Sequence, residues 1–379
     1  MRINEFIIKQ LFLLVRIIYS IYEDYPKRDR VLEGVMRFLI KNFILSIFFT
    51  LNLFGEDWTW SYKKKFTINE AKELAKKPNI VFSKVPVPNF NQLIFCWNAF
   101  RPIKGHFIFY VQSRDSITKK WGEWFKMLEW GAGGVQKSNS IKRKEGASYN
   151  HVRLELPKDK LADGFKFKVE SHGDADLSNL RLLGVSISDF SKFKSTNVDS
   201  QFLKLSPVYI KNIPKRSQML LNHDDGKEMC SPTSTSMLIE YLSKKNVDPI
   251  DFANKVYDHG LGSYGSWPFN TACAFEVCPS YFFRVIRLNS FSELYSYLLK
   301  GLPVIVSVRG KLPTAAKEYE SGHLILICGW DPKTKKVICH DPAFDSDNKV
   351  LHKYDLEDFL RAWERSHHLC YIVEKRHED

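Results

Sequence analysis

The sequence predicts an α+β chain in which an antiparallel β-sandwich precedes a second domain of mixed helices and strands. Between about residues 85 and 190, short runs rich in β-branched and aromatic residues alternate apolar with polar positions and are parted by Gly, Pro, Asp and Asn. From about residue 205, helical runs with start signals interleave with apolar strands. A length of 379 residues at 44% hydrophobic content supplies apolar material for two cores. The expected division is a leader, signal or membrane-associated segment over 1–55, a sandwich serving as an accessory or binding domain over 60–200, and the mixed domain over 205–379.

In the first segment, "MRFLIKN" carries Arg37 and Lys41 and runs into "FILSIFFTLNLF", an apolar stretch of signal-core length that is too short to span a bilayer. Translation starting at Met36, or an extended leader from Met1 cleaved near Gly55, makes the protein an exported one, secreted or envelope-associated. A pair of membrane-anchoring or core helices is the alternative.

The sandwich opens with a short helix, "INEAKELAKK", and continues through "NQLIFCWNAF", "GHFIFYVQSR", "GEWFKMLEW", "NHVRLELP", "GFKFKVESH" and "NLRLLGVSIS". Trp97, Trp121, Trp124 and Trp130 fall at strand spacing, where core packing is a commoner role than a platform for a sugar ring. The net charge of +13 concentrates here, with 25 basic against 16 acidic residues over 56–200 and 23 against 22 over 201–379. Such a surface suits an anionic envelope partner, or is a solvated lysine-rich face; no nucleic-acid partner is expected, because no nucleic-acid fold signature is present.

In the last domain, "SPTSTSMLIEYLSKK" reads as a helix with Pro232 in its first turn and an apolar face of Met237, Leu238, Tyr241 and Leu242. Cys230 then sits at the helix N-terminus, where unpaired N–H groups and the macrodipole favour a thiolate. "SFSELYSYLLKG" is a helix with a Ser290/Glu293 capping box, followed by the buried strand "LPVIVSVRG". "SGHLILICGWDPKTKKVICHDPAFD" forms two strands, and pairing about Pro332 sets His323 opposite Asp341, so that the carboxylate fixes the imidazole tautomer. His340 faces the other side of the sheet, and His367 and His368 lie near the surface. The seven cysteines lack CxxC spacing, so no disulfide framework, metal or cofactor is expected; Cys328 and Cys370 read as buried structural thiols.

The order of Cys230 at a helix start, "GH" opening a strand and "DPA" closing the next resembles the papain-like cysteine peptidases. Within them, "RSQM", "CSPTSTSM", "GSWPFNTACAF", "GLPVIVSV", "SGHLILICGWD" and "HDPAFD" are similar to bacterial peptidase C39-like proteins, relatives of the peptidases that remove double-glycine leaders. "CWNAFRP" and "GEWFKMLEWG" resemble a sandwich that precedes this domain in exported members. The resemblance implies a papain-like fold and a Cys230–His323 thiolate–imidazolium pair oriented by Asp341, with Gln218 and the Cys230 N–H stabilising the oxyanion. Gln218 lies twelve residues before Cys230 rather than the usual six or so, which requires "LLNHDDGKE" to loop out.

Gly265 and Trp267 of "GSYGSWPFN", with Ser321 and Gly322 before the histidine, are the expected substrate-binding residues; for the loop, a plain helix-connecting turn is the alternative. The expected activity is hydrolysis of a peptide or protein substrate through an acyl-enzyme. The same triad also serves deamidases and transamidases, and a non-catalytic surface-binding protein is the third reading.

Overall fold

The structure is a computed structural model that describes residues 57–75, 77–195, 202 and 204–376. The expected leader and the start at Met36 lie outside the described residues. Alternating patterns over 59–188 build two five-stranded antiparallel sheets. The first runs β1 (Thr59–Lys65), β10 (Leu180–Ser188), β3 (Gln92–Ala99), β8 (Arg153–Glu155) and β7 (Ser148–Asn150). The second runs β2 (Asn79–Lys84), β9 (Ala162–His172), β4 (His106–Asp115), β5 (Phe125–Gly131) and β6 (Gln136–Ser138). The core between them is aromatic: Trp97 packs 4.7 Å from Phe109 and edge-on to Trp130 at 5.7 Å, with Phe95 and Phe167 alongside. Trp121 and Trp124 are only half-buried and carry the ammonium groups of Lys166 and Lys168 over their rings. Helix α1 (Ile68–Leu74) starts from a Thr67/Glu70 capping box and ends before Pro78, which disfavours helical backbone in the residue ahead of it.

Strand β3 is buried along its whole length, although one face of a sandwich sheet normally meets water. Leu93, Phe95 and Trp97 fill the sandwich core, while Ile94 and Cys96, on the opposite face, join the core of the C-terminal domain. Asn98, on that second face, makes a two-point bond to a C-terminal strand: its Nδ2 donates to Phe283 O, and its Oδ1 accepts from Phe283 N, both at 2.8 Å. Phe269 crosses the other way and stands edge-on to Trp97 at 5.6 Å. Residues 57–379 accordingly form one compact unit.

The C-terminal sheet runs β12 (Tyr281–Arg287), β17 (Leu369–Lys375), β13 (Val304–Gly310), β14 (Tyr319–Asp331), β15 (Lys336–His340) and β16 (Leu351–Asp355), with β11 (Val208–Tyr209) added beside β14. The helices are α2 (Cys230–Ser243), α3 (Pro249–Val256), α4 (Trp267–Val277), α5 (Phe291–Leu298), α6 (Asp347–Val350) and α7 (Leu356–Glu364). Helix α2 packs on β14, and α4 lies against both β3 and β12.

Three local expectations are corrected. Helix α2 has no single apolar face: Ser231 through Ile239 are all buried, because the helix is wrapped by the sheet, α3 and α4. Several of its hydroxyls find partners inside, Ser231 with Tyr371 Oη at 3.0 Å and Thr235 with the Ser231 carbonyl at 2.8 Å, while the Thr233 hydroxyl is buried without one. At α5, Ser290 caps Glu293 N, but the Glu293 carboxylate accepts from the backbone N–H of Asn289 rather than that of Ser290. His368 is buried, not superficial; its Nδ1 lies 3.1 Å from the Leu288 carbonyl and its ring stacks on Trp363.

Candidate active site

Cys230 is the first residue of α2, whose N-cap residue Met229 contributes no side-chain hydrogen bond. The helix is fixed to β14 one residue past the key histidine, because Ser234 Oγ donates to the Leu324 carbonyl at 2.9 Å. The His323 imidazole therefore lies beside the Cys230 thiol. Burial pushes this thiol up, but the imidazole's hydrogen bond and charge and the backbone N–H groups of Leu324 and Ser231 bring it below its ordinary value. The other six cysteines are all buried and their thiols are raised by burial, Cys96 to about 11.

His323 Nε2 is 2.7 Å from Asp341 Oδ1, which leaves Nδ1 for the sulfur. The expected register is wrong, although the pair forms. The β14–β15 ladder joins Asp331 to Lys336 across a four-residue turn and is shifted once more at Cys328, so His340 stands opposite Leu326. Asp341 follows the end of β15 and is a diagonal rather than a direct neighbour of His323; diagonal partners still lie within side-chain reach. His340 turns to the opposite face and places Nδ1 2.9 Å from the Pro214 carbonyl.

Asp341 is completely buried and accepts four hydrogen bonds. Oδ1 takes His323 and the Ala343 N–H at 3.0 Å, and Oδ2 takes the hydroxyls of Tyr319 at 2.7 Å and Tyr354 at 2.6 Å. Burial alone would raise this carboxyl; the imidazolium and the two tyrosines hold it down at about 2. For His323, burial opposes the charge, but Asp341 and the thiolate lift it to about 9. Tyr319 also stacks on the imidazole with ring centroids 4.1 Å apart, closing one face of it. Neither tyrosine stands out in the sequence. Tyr319, four residues ahead of His323 on the same strand, left a weak periodic signal, and Tyr354 left none.

Gln218 is buried in a short 3-10 turn, and its backbone N–H donates to the Pro342 carbonyl at 2.9 Å. Its side-chain amide donates to the carbonyls of Lys227 at 2.6 Å and Gly226 at 3.5 Å, and its Oε1 has no partner. The inserted residues thus fold back, and Gln218 braces the turn that leads into Cys230 while being absent from the cleft wall. The Cys230 N–H belongs to the first turn of α2.

Cys230 opens into a cleft of about 720 Å³. Gly265, Trp267, Ser321 and Gly322 all line it. Gly322 has φ +94°, in the left-handed region where a side chain is strained, which accounts for the glycine ahead of the histidine. The opposite wall belongs to the sandwich. Gln92, Arg153 and Glu155 form a chain with Arg287 of β12: Arg287 Nη2 donates to Gln92 Oε1 at 2.8 Å, Gln92 Nε2 to Glu155 Oε1 at 3.0 Å, and Arg153 Nε to the same oxygen at 2.7 Å.

A thiol at a helix N-terminus, an imidazole and a buried carboxylate, on helix and antiparallel sheet, define the architecture of the papain-like thiol peptidases. Residues 210–371 match the model of the Peptidase_C39 like family, so the C-terminal domain is a C39-like domain with a cysteine peptidase-like fold. Among solved structures, a Bacillus anthracis protein described as a C39-like peptidase is similar at 20% identity over 45% of this chain and 99% of its own, with a TM-score of 0.36. Xylellain, a cysteine protease from Xylella fastidiosa, is similar at 13% identity over 50% of this chain and 94% of its own, with a TM-score of 0.32. No curated protein matches the chain.

Proposed function

We propose that the protein is a cysteine peptidase. The observation that supports this reading is the Cys230 thiol, open to a cleft beside the buried, hydrogen-bonded His323–Asp341 pair, while the other six cysteines are buried. The thiolate attacks the scissile carbonyl carbon, and the oxyanion is held by the Cys230 N–H. As the C–N bond breaks, the imidazolium passes its proton to the leaving amine. Water then adds to the thioester, His323 accepts its proton, and the thiolate departs to leave a carboxylic acid. Asp341 keeps Nε2 protonated throughout and stabilises the imidazolium.

The cleft bears Arg153, Arg287, Arg309 and Arg365 against Glu155 and Glu228, which favours peptides with acidic side chains beside the cleaved bond. The test is iodoacetamide labelling of Cys230 from pH 4 to 9 in the wild type and in His323→Ala, followed by cleavage of a peptide library. Rapid labelling below pH 6 that collapses in the variant, with cut peptides enriched in Asp and Glu, is the expected result. Labelling that rises only near the ordinary thiol pKa of about 8.5 in both proteins overturns the pair. Ammonia released without chain cleavage would instead mark a deamidase.

A further inference from the structure

A second basic cavity, of about 600 Å³, opens where the sandwich meets the C-terminal sheet and is lined by Lys63 of β1, Arg284 of β12, Tyr297 of α5, Lys300 and Lys375. Arg284 is 7% exposed. Its stem runs against the sandwich, since a Cβ added at Gly184 of β10 would stand 3.4 Å from its Cδ. The Nε of its guanidinium is buried without a partner, and no carbonyl or carboxylate among the described residues accepts a hydrogen bond from the group. The one carboxylate of the cavity, Glu374, is already taken: Lys63 bonds one oxygen and Lys65 the other at 2.8 Å.

An arginine whose stem and Nε are buried, with no acceptor of its own among the described residues and lysines around its cavity, leaves donor capacity unanswered. The chemistry that answers it is a multiply charged anion whose oxygens match a planar fork of donors and the ammonium groups around it, which describes a phosphate. We propose that this cavity is a phosphate-binding site, bridging the sandwich and the C39-like domain, that takes either free phosphate or the phosphate of a lipid headgroup. Because Lys63 comes from one domain and Arg284 and Lys300 from the other, binding ties the two together and raises stability by linkage.

The test is thermal unfolding of the full chain with sodium phosphate titrated against sodium chloride at equal ionic strength. Tm is expected to rise with phosphate and not with chloride in the wild type, and to lose that rise in Arg284→Gln. Lys300→Gln, at an exposed position that leaves folding intact, should weaken the apparent phosphate affinity about tenfold, the equivalent of roughly 1.4 kcal/mol. Sedimentation with phosphatidylglycerol vesicles separates the sources: capture lost in Arg284→Gln identifies a headgroup, and a phosphate response without capture identifies the free ion. Equal responses to phosphate and chloride, or a phosphate response that survives Arg284→Gln unchanged, overturn the proposal. Labelling of Cys230 is read in parallel, so a failure here is separable from a failure of the peptidase reading.

Discussion

Asp341 keeps its charge at zero exposure because four donors surround it, and two of these are tyrosine hydroxyls. Tyr354→Phe leaves Oδ2 with one donor and should cost about 1.5–3 kcal/mol in chemical denaturation, with Asp341 titrating higher. Its folded value of about 2 lies below the ordinary 3.8, so the stability it contributes is full above about 3.8 and is lost as pH falls through 2. His323 runs the other way: raised from 6.5 to about 9, it contributes fully below 6.5 and loses that contribution as pH rises through 9. The proposed peptidase activity should therefore fall on the alkaline side near 9. In Asp341→Asn the fall should move to lower pH and kcat/KM should drop roughly 10²- to 10⁴-fold; an unchanged alkaline limb would contradict the role given to the carboxylate. The types and order of the three residues were legible in the sequence. The tyrosines were not, because phenol-to-carboxylate contacts between β14, β16 and the end of β15 have no local pattern.

At the scale of elements, the site depends on how α2 is anchored to β14. The bond from Ser234 to the Leu324 carbonyl adjoins the residue that carries the imidazole. For the proposed activity, Ser234→Ala should reduce kcat more than it raises KM, because it loosens Cys230 against His323 without touching the cleft wall; a pure KM effect would argue against this anchoring. Helix α2 was placed correctly from its proline and its apolar residues, but its burial on all sides was not foreseen, since hydroxyl-rich sequence reads as a solvent face until its partners are known. The β14–β15 register shows a similar limit. Turn residues located the hairpin, while the turn's length and the shift at Cys328 decided which residues faced each other.

In the whole molecule, sandwich and C39-like domain share an interface made of core residues. Asn98 satisfies both backbone groups of Phe283, so Asn98→Leu should strand two buried groups and cost about 2–4 kcal/mol, measured as a lower denaturation midpoint. Calorimetry of the wild type should give one unfolding transition for both domains; two well-separated peaks would mean that the interface carries little of the stability. Composition, alternation and the Cys230, "GH" and "DPA" spacing determined the α+β class and the candidate triad, because periodicity and short-range capping chemistry are written locally. Only the tertiary structure decided that β3 is buried on both faces, that the sandwich forms a wall of the cleft, and that Gln218 braces the turn before Cys230. Each of these depends on surfaces far apart in the chain coming into contact, and burial of that kind leaves no period in the sequence to read.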